Sequence, residues 1–472
     1  MRFTVVSHAG LYVEDQGISV LIDPWLIGSC YWRSWWNFPE PDPALRSSLK
    51  PDYIYLTHLH WDHFHGPSLR RFPRDTHLLV PQVHTHRMVT DLRDIGFSQI
   101  SEIPHGRPFQ LGPNLTLHSF QFGFTVDSAV VISNGQVTLF NSNDCKAFGR
   151  PLAQILARFP KIDFVFRSYS SASSIPYCIE GYPERYGDLR PPQDYMEEFT
   201  AFALGVGATY AIPFASNHCF LHRDTVPFNA FAVSPTRVEQ VCNREAERRG
   251  LTTRCIVMPA GSTWDSEAGF KLAPFDYEHT DIHIAELAAR HRLTLEHQYA
   301  REAQVRGSYT AFERYFEALL RSLPPWLPRL GTLTLLFRVQ EGKGEQWWWL
   351  DLGQRRVEKL PEPRPAALTI AVPALVINDC TRKRMFSTWG PSKRLRVTLG
   401  EGRSWVDMRL FLSLLDAYEN DYLPLWRHLS PRYLGIWLRR WREFWEAAHL
   451  LVTYKLRGRP FKVSEIYRRS VS

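Results

Sequence analysis

The 472-residue sequence predicts a mixed α/β fold with a smaller α+β domain behind it. Three observations carry that expectation. Short apolar runs rich in β-formers alternate with helix-like segments as far as about residue 270. A dense set of metal-ligand side chains follows directly on one of those runs. The break Leu323-Pro324-Pro325-Trp326-Leu327-Pro328 then separates a helical stretch from a second group of strands.

The chain opens on a strand-like Phe3-Thr4-Val5-Val6, and Asp23-Pro24 ends a later strand. Residues 28–41 form an aromatic loop with Tyr31, Trp32, Trp35, Trp36 and Phe38. It either roofs a substrate pocket or plugs the edge of the fold. Asp52-Tyr53-Ile54-Tyr55-Leu56 reads as a buried strand and leads into Thr57-His58-Leu59-His60-Trp61-Asp62-His63. Three histidines and an aspartate this close form a ligand set for a borderline metal. Imidazole suits zinc, iron and nickel, and a carboxylate joins it in two-metal sites. Alternation places His58 and His60 on one side of an extended chain, while Asp62 and His63, past a bend, address a second position. A polar loop capping a helix does not account for four ligand-type residues packed so tightly.

This run resembles the HxHxDH signature of the metallo-β-lactamase superfamily. His8-Ala9-Gly10 and residues 18–26 look like the opening strands of its UlaG-like branch. Phe140-Asn141-Ser142-Asn143-Asp144 resembles the strand that ends in a metal-bridging aspartate. Pro213-Phe214-Ala215-Ser216-Asn217-His218 resembles the strand that ends in the last histidine. Asp23-Pro24-Trp25-Leu26 and the segment ending at Asp144 are most similar to the metallo-β-lactamase-like domain of CMP-N-acetylneuraminate hydroxylases. The resemblance covers about residues 1–270 and implies an αββα sandwich. It implies a first metal on His58 and His60, a second on Asp62, His63 and His218, and Asp144 between them. Two divalent ions, zinc or iron, are the implied cofactors. The implied reaction is attack of a metal-bound hydroxide on an ester, amide or phosphoester, with Asp62 taking the released proton.

One donor is left open. Many hydrolases of that superfamily use a third histidine on the first metal, and no histidine stands at the corresponding junction here. His118, Gln121 and Asp127 are the available donors. His118 sits inside a strand, where a hydrogen-bonded core histidine is an equal reading. Asp127-Ser128 resembles a pair in sialate hydroxylase-like proteins, and a carboxylate there favours iron. An iron-dependent oxygenase is therefore the alternative function, supplied with electrons from elsewhere because no CxH…CxxH pattern occurs. A non-catalytic binding protein is the third reading. His222 competes with His218 for the last position. His84, His86 and His105 read as surface or supporting residues, and Cys145 and Cys219 as packing neighbours of Asp144 and His218.

Beyond the metal run, residues 151–159, 193–206 and 235–249 read as helices. Residues 76–81, 115–120, 129–133, 137–140, 164–166, 210–213 and 255–258 read as strands. Residues 1–270 thus form the metal-binding domain and 271–330 a helical connector. Residues 331–472 form the α+β domain, loosely like a sterol-carrier-type domain. Its strands fall at 333–339, 346–350, 368–372 and 394–398, with a Gly342-Lys343-Gly344 turn between the first two. A final helix starts at Ser430-Pro431 and stops at Gly458. It carries Leu434, Trp437, Leu438, Trp441, Trp445 and Ala448 on one stripe, expected to dock on its own domain.

Composition bounds the rest. The seven cysteines contain no CxxC pair, so no disulfide framework is expected. No run of eighteen apolar residues and no signal-peptide design is present, which predicts a cytoplasmic location. Eleven of the 56 Lys and Arg residues lie in 427–472 against three acidic ones, so the net charge of +8 belongs to that segment. A small-molecule substrate is the expected partner. No nucleic-acid-reading motif appears, and a peripheral contact with an anionic surface is open to the basic segment.

Overall fold

The computed structural model describes residues 1–123, 127–325 and 333–452. Two sheets face each other in the N-terminal part. The first has eight strands in the spatial order Gly269–Lys271, Thr263–Asp265, Arg2–Val5, Leu11–Asp15, Ile18–Ile22, Tyr53–Tyr55, His77–Pro81 and Ile100–Ile103. The second has seven, in the order Arg254–Cys255, Tyr210–Pro213, Phe164–Arg167, Thr138–Asn143, Asp127–Ser133, Thr116–Phe122 and Pro108–Gln110. Alternation along the strands sends Phe3, Val5, Val13, Val20 and Ile22 inward to meet Leu117, Val130, Ile132, Phe164 and Ile212. Helices cover both outer faces. Arg87–Ile95 buries Met88 and Leu92 on the first sheet, and Pro192–Val206 and Pro235–Arg248 cover the second. The αββα sandwich is the architecture the resemblance implied.

The ligand-bearing loops leave the C-terminal ends of parallel strands, where open α/β sheets bind ligands. Ile18–Ile22, Tyr53–Tyr55 and His77–Pro81 run parallel in the first sheet, and Thr138–Asn143, Phe164–Arg167 and Tyr210–Pro213 in the second.

The aromatic segment 28–41 is not wholly loop. Ser29–Cys30 and Trp35–Asn37 are short strands, and the latter pairs antiparallel with His218–Phe220. Trp35 and Trp36 are buried, so this segment is in part the plug the sequence allowed. Tyr31 and Trp32 nevertheless line a cavity of about 580 Å³, together with Trp61, Arg33, Arg70 and Arg301. The segment thus plugs the edge of the fold with some residues and lines a cavity with others.

The C-terminal sheet runs in the order Arg356–Leu360, Gly344–Asp351, Thr334–Glu341, Leu368–Pro373, Arg396–Leu399. Its core includes Phe312, Phe316, Leu319 and Leu320 of the helix Tyr309–Ser322. The stretch expected as a connector thus supplies a core helix. The helix Trp405–Glu419, which the sequence reading did not single out, starts on a Ser404/Asp407 capping box. The same core continues into Tyr31, Trp32 and Trp35 of the N-terminal part. Backbone bonds between Cys178, Glu180 and Val397 tie residues 178–180 to the sheet edge.

The expected final helix is broken into Pro431–Arg439 and Trp441–Leu451. Tyr433, Ile436 and Arg440 face inward, whereas Leu434, Leu438, Trp441 and Trp445 face solvent. The stripe therefore does not dock as expected. Trp326-Leu327-Pro328 and Gly458 lie outside the described residues. Among the described residues no helix is long and apolar enough to cross a membrane.

Candidate metal centre

Asp23 anchors the loop that carries the histidines. It sits just past the strand Ile18–Ile22, fully buried and with a positive φ of 44°. Its carboxylate accepts hydrogen bonds from the Thr57 backbone N (2.8 Å) and hydroxyl (2.7 Å), and the His63 Nδ1 lies 2.7 Å from it. With Nδ1 held there, the His63 Nε2 is turned toward Asp62 Oδ2 at 3.3 Å and Asp144 Oδ2 at 3.4 Å. Carboxylate support of this kind fixes the orientation of a ligating histidine. The chain turns back at once, with the His63 and Phe64 backbone N–H groups both donating to the His60 carbonyl.

Three overlapping groups of donors result, each with its ligand atoms within 4.8 Å of one another. His58, His60 and Asp127 form the first; His58, His63 and Asp144 the second; His8, Asp62 and His63 the third. Of the three candidate third donors, Asp127 is the one grouped with His58 and His60, at the mouth of the hairpin where it pairs with Phe122. His118 lies four positions back from Phe122, where its Nε2 meets the Arg158 guanidinium at 2.9 Å. Gln121 donates to Ser119 and to the Ile103 carbonyl. Neither joins the centre.

Asp144 extends from the strand Thr138–Asn143 after Asn143, whose φ of 36° turns the chain. Asp62 is clamped from two sides. The Tyr31 hydroxyl donates to Oδ1, and the His8 Nε2 lies 3.0 Å from Oδ2. His8, Asp23 and Tyr31 were not singled out as site residues by sequence reasoning, because nothing local to them spells metal chemistry.

His218 stands beside the centre but outside the three groups. Its ring stacks on Trp35 at 3.5 Å and approaches the His8 ring at 5.3 Å. Within these distances His8, and not His218, groups with Asp62 and His63. His222 is elsewhere, grouped with Asp224 and Glu302. His84 lies against the Asn420 carbonyl, His86 precedes the helix Arg87–Ile95 without a side-chain capping bond, and the His105 Nδ1 accepts from the Gln121 backbone. Cys145 and Cys219 are buried and join none of the donor groups.

The electrostatics fit bound cations. Burial, with the charge of His63 beside it, pulls the His58 imidazole down to about 4, and burial also lowers His60 and His218. These rings are neutral bases, the form that binds metal. Burial works against charge on Asp62 and Asp144, yet His63 and, for Asp62, His8 hold both carboxyls well below the usual range. Neither has a Lys or Arg at ion-pair distance among the described residues; their ion-pair partners are histidines. Among the described residues, the His63 Nε2, His8 Nδ1 and His218 Nδ1 are buried without a hydrogen-bond partner. Buried carboxylates facing lone imidazole nitrogens are what a metal pair satisfies.

Residues 19–176, which hold six of these donors, match the description "Beta-lactamase superfamily domain". This segment belongs to the beta-lactamase superfamily. Among curated proteins, this chain is 30% identical over 280 residues to a Mycobacterium tuberculosis protein that bears the name of a Rieske 2Fe-2S iron-sulfur protein. That match covers 56% of this chain and 54% of the relative. A second relative is the cytidine monophosphate-N-acetylneuraminic acid hydroxylase of Mus musculus, 27% identical over 152 residues, or 31% of this chain and 26% of that one. The chain thus spans about half the length of the mycobacterial relative and about a quarter of the hydroxylase. A solved structure, CmlA, a diiron beta-hydroxylase from Streptomyces venezuelae, is similar at 16% identity over 54% of this chain and 52% of that one, with a TM-score of 0.37.

Proposed function

We propose that the chain is an iron-dependent oxygenase that hydroxylates a small molecule at a dinuclear centre. The observation that carries this reading is Asp127 beside His58 and His60. Two histidines and one carboxylate at one metal position are the donor set of non-haem iron oxygenases. The names of the two curated relatives, an iron–sulfur protein and a hydroxylase, support the same direction.

A pair of iron ions bound here would supply the reductive activation of dioxygen. The balance is R–H + O₂ + 2 e⁻ + 2 H⁺ → R–OH + H₂O. The two electrons are assigned to a separate one-electron donor of the 2Fe-2S class, since these 472 residues hold no CxH…CxxH pair. The protein's own part is to hold the donors still. His58, His60 and Asp127 would take one ion, Asp62, His63 and His8 the other, with Asp144 between them. Asp23 aims His63, and Tyr31 fixes Asp62.

The hydrolytic reading needs Asp62 as a proton acceptor. Both of its oxygens are already engaged, one by Tyr31 and one by His8, which suits an anchored ligand better than a base. Hydrolysis remains the second reading because the HxHxDH run itself serves both chemistries.

The reaction with dioxygen tests the choice. Iron-loaded, chemically reduced protein mixed with oxygenated buffer is expected to be reoxidised, with a change in its optical spectrum and uptake of oxygen. Reduced protein inert to oxygen, together with zinc-loaded protein that cleaves ester or phosphodiester probes, would put hydrolysis first.

A further inference from the structure

Lys393 is an ammonium group in an unusual place. The residue is 3% exposed and lies at a left-handed turn, φ 53°, just after the short helix Trp389–Ser392. Its Nζ carries three donors, yet its hydrogen-bond contact among the described residues is the Ser171 carbonyl at 3.4 Å. Among the described residues no carboxylate forms an ion pair with it. Aromatic rings surround it instead, with the Phe220, Tyr177 and Phe228 centroids at 5.2, 5.5 and 6.0 Å. The rings offset part of the cost of burying the charge, and burial still pulls the ammonium down to about 8.

The side chain opens onto a cavity of about 120 Å³ that is also lined by His218, Ser170, Ser171, Ser216 and Tyr169. Lys393 therefore shares one chamber with a histidine at the edge of the metal centre. Its position is imposed from the metal-binding half. The Trp35 indole N–H donates to the Pro391 carbonyl at 2.9 Å, the Ser34 hydroxyl to the Ser392 carbonyl at 2.7 Å, and the Arg394 guanidinium to the Trp32 carbonyl at 3.0 Å. Trp35 is the ring that stacks on His218. The same short strand thus holds the lysine turn and the histidine.

We propose that this cavity is an oxyanion subsite, in which Lys393 of the C-terminal domain binds a carboxylate or phosphate group of the small molecule that reacts at the metal centre. The assignment of that molecule as substrate rests on the metal centre being the reactive one. A buried ammonium without a counter-ion is disfavoured unless a bound anion completes it, and the serine hydroxyls of the cavity wall add donors. The C-terminal domain is then part of the substrate site, and the substrate class is anionic.

The test is anion binding by the full chain, both metal-loaded and chelator-treated, so that its outcome does not depend on the metal reading. Acetate and inorganic phosphate would be titrated at constant ionic strength against chloride, with the thermal unfolding midpoint as readout. At least one is expected to raise the midpoint of wild-type protein in both forms, and the one that does so identifies the oxyanion. Lys393→Met keeps the length and the apolar packing, and is expected to weaken that binding by about 10- to 100-fold, while Lys393→Arg keeps part of it. Lys393→Gln gives the same comparison should the methionine variant not fold. A wild-type protein indifferent to both anions, or a Lys393→Met variant that responds like wild type, would overturn the proposal and leave Lys393 as a strut between the domains.

Discussion

Asp127→Ala is expected to lose metal from one of the two positions, with affinity there falling by more than about 100-fold. Residues that only support a ligand are worth 10- to 100-fold, and the proposed centre makes Asp127 a direct ligand, with its donor atoms near those of His58 and His60. Asp127→His is the sharper variant. It restores an imidazole at that point and is expected to turn the preference from iron toward zinc, because donor type rather than raw affinity sets selectivity. Metal content after dialysis against equal iron(II) and zinc(II), in the absence of oxygen, reads both effects. Unchanged content and selectivity in both variants would place Asp127 outside the ligand set.

The second large effect concerns stability. Glu198 lies on the helix Pro192–Val206, 4% exposed, and its carboxylate accepts from Lys146 at 2.6 Å, Arg167 at 3.0 Å and Arg190 at 3.2 Å. Arg167 is 1% exposed, rests on the Phe202 ring and donates to the Cys145 carbonyl at 2.9 Å. The pair therefore braces the turn that carries Asp144. Glu198→Gln leaves the Arg167 charge buried without its counter-ion, and equilibrium denaturation is expected to show a loss of about 3–5 kcal/mol. A loss below about 1 kcal/mol, the range of exposed pairs, would contradict the assignment. The pH dependence has a definite sign. Burial works against the Glu198 charge, but Lys146, Arg167 and Arg190 hold the carboxyl down at about 2, below its ordinary value of 4.5. Its stabilisation is thus present above about 4.5 and is lost as pH falls toward 2. The glutamine variant lacks that part of the acid transition.

The centre was legible in the sequence where its donors are neighbours. His58, His60, Asp62 and His63 stand within six residues after a clear strand, and Asp144 ends another. What joins them from afar was not. Asp23 and His8 come from the ends of other strands, and Tyr31 from a segment whose pairing partner, His218–Phe220, is nearly two hundred residues away. No local pattern marks such residues, because strand pairing alone decides who meets whom. Asp127 is the instructive case. The sequence left three donors open, with His118 already read inside a strand, and the hairpin register puts Asp127 at the open end beside His58 and His60. The aromatic segment read as loop for the same reason, since two- and three-residue strands give no periodicity to detect. Lys393 was invisible, being one lysine among many until the fold buries it.

The most direct test of the central claim is the metal content of wild-type protein purified from cells supplied with both iron and zinc, read by mass spectrometry together with Mössbauer spectra. An oxygenase centre predicts about two irons per chain in a coupled pair, one for each of the two proposed donor sets on either side of Asp144. Two zinc ions and a colourless, redox-inert protein would contradict it and return the chain to hydrolysis.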